Sequence, residues 1–238
     1  MTPVALPAPG RPRRLQRGLT FGLAAAVLAL ALAFAWPHLV GAAVELPRLD
    51  RLFAELHRDG VLIEALRAQN AALAGKDEAW ALDQDRIWNT ERLAGEGPLQ
   101  QGVIARPASQ HLRDIVAASG GLVSHAFLID AEGRMAAEPF LSYNFLQADK
   151  PKFHDTFPAG AAGRHVSWLQ LSFDGSHPIC WRAETMVDPQ TQAPIGVLAL
   201  EVSYLKLGYF GCIEMPAHTP QERATNHVAA EPGTSINP

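Results

Sequence analysis

At 238 residues, 48% of them hydrophobic, the chain is long enough for one domain of medium size with accessory segments. A formal net charge of -4 gives no basic footprint for nucleic acid, and two cysteines without a CxxC or Cys/His cluster give no metal framework.

The N-terminus departs from an ordinary soluble composition. "RPRRLQRGLTFGLAAAVLALALAFAWPHLV" sets Arg11, Arg13, Arg14 and Arg17 ahead of an uncharged run, Gly18 to Trp36. As a helix, that run covers roughly 28 Å, close to the hydrocarbon thickness of a bilayer. The expectation is a signal anchor over 18–36, with residues 1–17 as a short disordered cytoplasmic tail and the rest outside, since basic flanks stay inside. A cleaved signal peptide, with Val40–Ala42 as the small-residue cleavage site, is the alternative. Both readings make the remainder extracytoplasmic; for a bacterial chain, the anchor reading means a single-pass inner-membrane protein with its C-terminal domain in the periplasm.

After Pro47, apolar residues recur at Leu49, Leu52, Phe53, Leu56, Ile63, Leu66 and Leu73, a helical face with a break or kink expected at Asp59-Gly60. A second helix is expected over "KDEAWALDQDRIWNTERL", with Trp80, Ile87 and Trp88 as buried anchors. A third runs from about Ser109, as its cap, to Ser119, and stops at Gly120-Gly121.

The pattern then becomes extended. "LVSHAFLID" and "AEGRMAAEP" read as two strands about a turn at Glu132-Gly133, which the Asp130 side chain would organise. A long connection, Tyr143 to Gly160, precedes three more strands, "HVSWLQLSF", "HPICWRAETMV" and "PIGVLALEVSY", joined by hairpin turns. The fold class expected is α+β: helices layered on an antiparallel sheet of about five strands, with the connection crossing the other face or its edge. The domain would span 47–212, and the Pro-rich polar stretch 213–238 reads as a disordered tail.

"LIEALRAQN", "ASGGLVSHAFLIDAEGRMAA", "NFLQADKPKF" and "DPQTQAPIGVLALEVS", in that order, resemble the PDC-type, PAS-like sensor domains of the Cache superfamily, over roughly Asp50 to Tyr204. The resemblance implies one long N-terminal helix along a five-stranded antiparallel sheet, and a ligand pocket between sheet and long connection. It does not carry over a ligand. The Tyr/Arg/Trp/Asp motif of amino-acid sensors is incomplete here, with no Arg between Tyr143 and Asp149, and Lys150 and Lys152 only loosely match the basic cluster of dicarboxylate sensors.

Within the connection, Tyr143, Asn144 and Asp149 are candidate pocket residues, and Lys150 and Lys152 would attract an anion. Phe145, Phe153 and Phe157 read as core anchors, and Lys152, between Pro151 and Phe153, reads as surface before ligand. If "DPQTQA" closes a hairpin that pairs Val187 with Ile195, then Arg182 lies opposite Leu200, Trp181 opposite Glu201 and Cys180 opposite Val202. Arg182 and Glu184 then share a face, where Arg182 is either a forked carboxylate clamp or the partner of Glu184 on a solvated surface. Trp168 and Trp181 are core residues or ligand platforms; Trp168, Arg182 and Glu184 complete the candidate ligand-binding set. A disulfide between Cys180 and Cys212 is permitted outside the cytoplasm, but in this register it requires the segment after Tyr204 to fold back.

Catalysis finds little support. His154 and Asp155 are adjacent and diverge on a helix, His165 and His177 lack ligand-like spacing, and no nucleophile elbow, zinc or nucleotide-binding motif occurs. The expectation is a non-enzymatic sensor or ligand-binding module without cofactors. It would hold a small polar solute such as a carboxylate and signal through a membrane-embedded partner, since residues 1–17 hold no output machinery; a homodimer through the helix after Pro47 is compatible with its apolar face. The alternative is a structural subunit of an envelope complex that kept the fold and filled the pocket.

Overall fold

A computed structural model describes residues 13–172, 175–208 and 212, apart from the side chains of 13–25, 34, 37, 38, 41 and 42. The tails expected at 1–17 and 213–238 therefore lie outside the described residues, save that the backbone of 13–17 opens the first helix.

Helix α1 (Arg13–Leu56) contains the Gly18–Trp36 run. Part of that run's side chains is outside the described set, and among the described residues no helix is long and apolar enough to cross a membrane. Val27, Leu28, Leu30 and Leu32 are exposed, whereas Leu49, Phe53 and Leu56, spaced along one face, are buried.

The break at Asp59-Gly60 is real. The Asp59 carboxylate accepts from Val61 and Leu62 N–H and caps α2 (Gly60–Ala72), so the single long helix implied by the resemblance is two. Helix α3 (Glu78–Ala94) is capped by Asp77 and ends at Gly95 in the left-handed region. Of its three expected anchors, Trp88 is fully buried, Trp80 half-buried and Ile87 exposed.

Helix α4 (Pro98–Ile104) is an addition to the sequence reading, with Pro98 in its first turn and its Leu99 and Gln100 N–H groups bound by the Glu91 carboxylate. Helix α5 (Pro107–Ala118) begins before Ser109. That residue is buried within it and donates to the Val103 carbonyl instead of capping. The fixed φ of Pro107 suits the first turn and moves the start back.

The strands are β1 (Val123–Asp130), β2 (Met135–Ala137), β3 (Arg164–Val166), β4 (Gln170–Leu171), β5 (Pro178–Val187) and β6 (Pro194–Ser203). They form one antiparallel six-stranded sheet, order β2-β1-β6-β5-β3, with β4 also on β5. The expected third strand is thus split. Val166 pairs with Arg182 and Gln170 with Ile179, so Ser167, Trp168 and Leu169 stand opposite only Trp181 and Cys180, a bulge that breaks the ladder. The β5–β6 register is as expected at Arg182–Leu200, Trp181–Glu201 and Cys180–Val202, but a shift near the turn sets Val187 opposite Pro194 rather than Ile195. The Asp130 carboxylate accepts from Glu132 and Arg134 N–H and organises the β1–β2 turn as expected.

Side chains alternate across the sheet into two cores. Leu128, Leu198, Leu200, Val202, Cys180 and Met186 pack under α1, α2 and α5. Phe127, Ile129, Ala183, Val197 and Ala199 pack with Trp88 and Val103, and with Phe145 and Phe153 from the long connection. Each such Leu or Phe contributes about 1.5–3 kcal/mol by leaving water. After β6, α7 (Tyr204–Leu207) does fold the chain back, and Cys180 and Cys212 are bridged with Cα atoms 5.7 Å apart.

Candidate functional site

The connection is fastened over the second sheet face before it carries any chemistry. Phe145 C=O accepts from Met135 N–H and Gly133 C=O accepts from Gln147 N–H, so the connection closes the β2 edge. Gly133 is required there: its φ is +77°, and a Cβ would lie 2.6 Å from Ala148 Cα. Helix α6 (Pro151–His154) and a 3-10 segment (Phe157–Ala162) follow. Phe145 and Phe153 are buried and Phe157 half-buried, stacked on Phe153 with centroids 5.2 Å apart.

Between this connection and the sheet is a cavity of about 250 Å³. The sheet contributes His125, Phe127, Trp181 and Glu201, the connection Ser142, Tyr143, Asn144, Gln147, Lys150 and Lys152, and β4 with its following residue Gln170, Leu171 and Ser172. A larger hollow of about 490 Å³ lies between α2 and α5, with Glu64, Gln69 and Arg106 on a wall that is otherwise aliphatic and has no aromatic side chain. The smaller cavity is the candidate site because ionisable and aromatic groups converge in it.

Phe127 and Trp181 stack with centroids 5.0 Å apart, and the Lys152 ammonium lies 4.2 Å and 4.5 Å from their respective centroids. Burial pushes the Lys152 amine down to about 8, against the favourable charges of Glu138 and Glu201. Glu138 is fully buried; burial raises it to about 8, and its Oε1 accepts from Ser142 N–H. Its Oε2 has no hydrogen-bond partner among the described residues. Burial lowers His125 to about 4, and its Nδ1 accepts from Ala126 N–H at 2.9 Å. Ser124 Oγ donates to Glu201 Oε1 at 2.7 Å. The result is an aromatic chamber with one ammonium over its rings, the Glu201 carboxylate at its wall and a polar rim, chemistry suited to holding a small ion.

Of the sequence candidates, Tyr143, Asn144 and Lys150 line this cavity. Asp149 is exposed beside it, paired with Lys150 at 2.7 Å. Trp168, carried outward by the bulge, is 87% exposed rather than core, and borders an adjoining hollow of about 240 Å³ with Lys150, Lys152 and Trp181. Arg182 and Glu184 are not brought to the cavity. They lie on the opposite face beneath α1, where Arg182 binds Glu184 and Asp50 at 2.6 Å each and covers the Phe53 ring at 4.6 Å. At 6% exposure, Arg182 is on neither a cavity wall nor a solvated face. Burial alone would raise the Glu184 carboxyl, but hydrogen bonds from His57 and Arg182 hold it below its ordinary value.

Sequence reasoning passed over His125, Glu138 and Glu201, and for Lys152 it favoured the surface over an anion-attracting role. A signal existed for Glu201, a charge set inside the apolar strand "GVLALEVS", which needs a partner wherever that strand is buried. His154 and Asp155 pair with each other on exposed surface outside the cavity.

No protein-family model matches the chain, and a search of curated proteins found no match. Among solved structures, the chain is similar to the sensor domain of the Vibrio cholerae histidine kinase DctB, with a TM-score of 0.48 and 16% identity over 79% of this chain and 60% of that one. It is also similar to the ligand-binding domain of the Campylobacter jejuni chemoreceptor Tlp3 in complex with 4-methylisoleucine, with a TM-score of 0.34 and 13% identity over 64% of each chain. A third is the ligand-binding domain of the Pseudomonas fluorescens chemoreceptor CtaA in complex with L-serine, with a TM-score of 0.33 and 14% identity over 54% of this chain and 60% of that one. The chain thus spans between 60% and 64% of the length of these proteins.

Proposed function

We propose that the chain is a membrane-anchored extracytoplasmic sensor module that binds a small carboxylate between its sheet and the Tyr143–Gly160 connection. The observation that carries this reading is the open cavity with the half-buried Lys152 ammonium over the Phe127 and Trp181 rings and Tyr143 on its wall. In a scaffold subunit with a degenerate fold, apolar side chains would fill this space. A cavity of about 250 Å³ suits a solute of a few heavy atoms rather than a peptide. The apolar run Gly18–Trp36 behind its arginines supports an inner-membrane anchor, with the domain in the periplasm. Because α1 joins that run to the sheet, a shift of the sheet on binding has a path to a membrane partner. The ligand must favour one of two arrangements for that path to carry a signal.

The test is a thermal-shift screen of the purified full chain against small carboxylates, amino acids, amines and sugars. Saturable stabilisation by a carboxylate class, weakened at least tenfold in Lys152→Gln, supports the reading. A folded chain unmoved by the whole panel overturns it.

A further inference from the structure

We propose that Lys152 sets the charge of the ligand by filling, from within the chain, a cation site built from the Phe127 and Trp181 rings with the Glu201 carboxylate on the same cavity wall. Two stacked rings of one sheet face, contributed by β1 and β5, present π surface to a single point, and the ammonium occupies that point at 4.2 Å and 4.5 Å from the two centroids. Such faces attract a cation through the ring quadrupole, most strongly where water is excluded. The charge of Glu201 favours the ammonium electrostatically. The carboxylate on the cavity wall is Glu201, which is buried and accepts from Ser124 Oγ at 2.7 Å.

The cation comes from the lid. Pro151 opens α6 so that successive side chains diverge, and Phe153 enters the core while Lys152 crosses to the rings. With its cation place taken, and with Lys150 at the rim, the cavity disfavours a second cation and offers an anion the ammonium's remaining donors. Remove the tether, and the same walls become a receptor for a free alkylammonium. This inference rests on the reading that the cavity is the ligand site, yet the inversion of charge preference is measurable without the natural ligand.

The experiment compares wild-type full chain with Lys152→Ala by titration calorimetry, using succinate and propylammonium chloride. Propylammonium replaces the atoms that the substitution removes beyond Cβ. The expected result is succinate binding with no propylammonium binding in wild type, and in Lys152→Ala a loss of succinate affinity of at least tenfold together with saturable propylammonium binding. A Lys152→Ala chain with wild-type circular dichroism that takes up no propylammonium overturns the proposal, as does propylammonium binding of equal strength in wild type. Failure of wild type to bind succinate or any other carboxylate counts against the sensor reading alone, because the gain of propylammonium binding is then still scored.

Should Lys152→Ala not fold, wild type labelled at the lysine 13Cε positions decides. Lys76, Lys150, Lys152 and Lys206 are the chain's lysines, and one signal must be displaced by ring currents and return toward the others in Trp181→Leu. Four clustered signals overturn the proposal.

Discussion

Glu138 and His125 are both moved by burial, and their effects on stability oppose each other. Glu138 is raised from 4.5 to about 8, so the folded chain holds its proton more tightly; the stability this provides is complete below the unfolded value and is lost as pH rises through 8. His125 is lowered from 6.5 to about 4, so its contribution is complete above 6.5 and is lost as pH falls toward 4. Lys152, lowered from 10.5 to about 8, withholds stability below 8 and restores it as pH rises toward 10.5. In Glu138→Gln, the melting temperature at pH 8 relative to that at pH 5 is expected to rise by several degrees compared with wild type, since about 1 kcal/mol moves it by roughly 2–8 °C. An unchanged difference would mean that Glu138 is ionised in the folded chain. None of these three residues was legible as a site in the sequence, because each owes its state to what covers it. Lys152 reads as surface by its neighbours, and only the placement of the Phe127 and Trp181 rings brings it to the cavity wall. Tyr143 and Asn144 were legible, because the order of the elements alone puts their segment over the sheet.

Strand β5 divides its residues between two tasks. Trp181 faces the cavity, while Arg182 and Glu184 bind Asp50, Phe53 and His57 of α1 and the turn after it. Arg182→Ala leaves the largely buried Glu184 with His57 as its remaining close partner and returns the mostly exposed Asp50 to water, and is expected to cost roughly 1–3 kcal/mol in chemical denaturation. Carboxylate affinity should stay within about threefold of wild type, and a larger loss in calorimetry would show that the helix-side contact reaches the cavity. The disulfide pins β5 to the returning C-terminal segment at a sequence separation of 32. Cys212→Ala is therefore expected to lower stability by about 3–4 kcal/mol on loop closure, with the same loss in wild type under reductant. Hairpin register was legible because alternation and turn chemistry specify it locally. The bulge at Trp168, the short α4 and the reach of Cys212 were not, since each depends on a contact distant in sequence.

Over the whole molecule, the sheet is a partition with a helix layer on one side and a ligand-sized chamber under the connection on the other. The α+β class was legible from the order of helices and strands, and the division into two faces from alternation. The side on which Arg182 falls was not, because alternation says which residues share a face and not which face is covered by helix. If the anchor reading holds, full chain fractionates with membranes and a chain lacking residues 1–46 does not; equal partitioning of the two would refute the anchor. The alternation along β5 also constrains how such a chain can diverge. Substitutions in β5 alter one face at a time, so the chamber can be retuned without touching the helix contact. Insertion or deletion of a single residue between Arg182 and the turn after Val187 would exchange the two sets, sending the guanidinium into the chamber and the indole beneath α1. Descendants of this chain can therefore drift freely in composition along β5, but its length is an inherited constant.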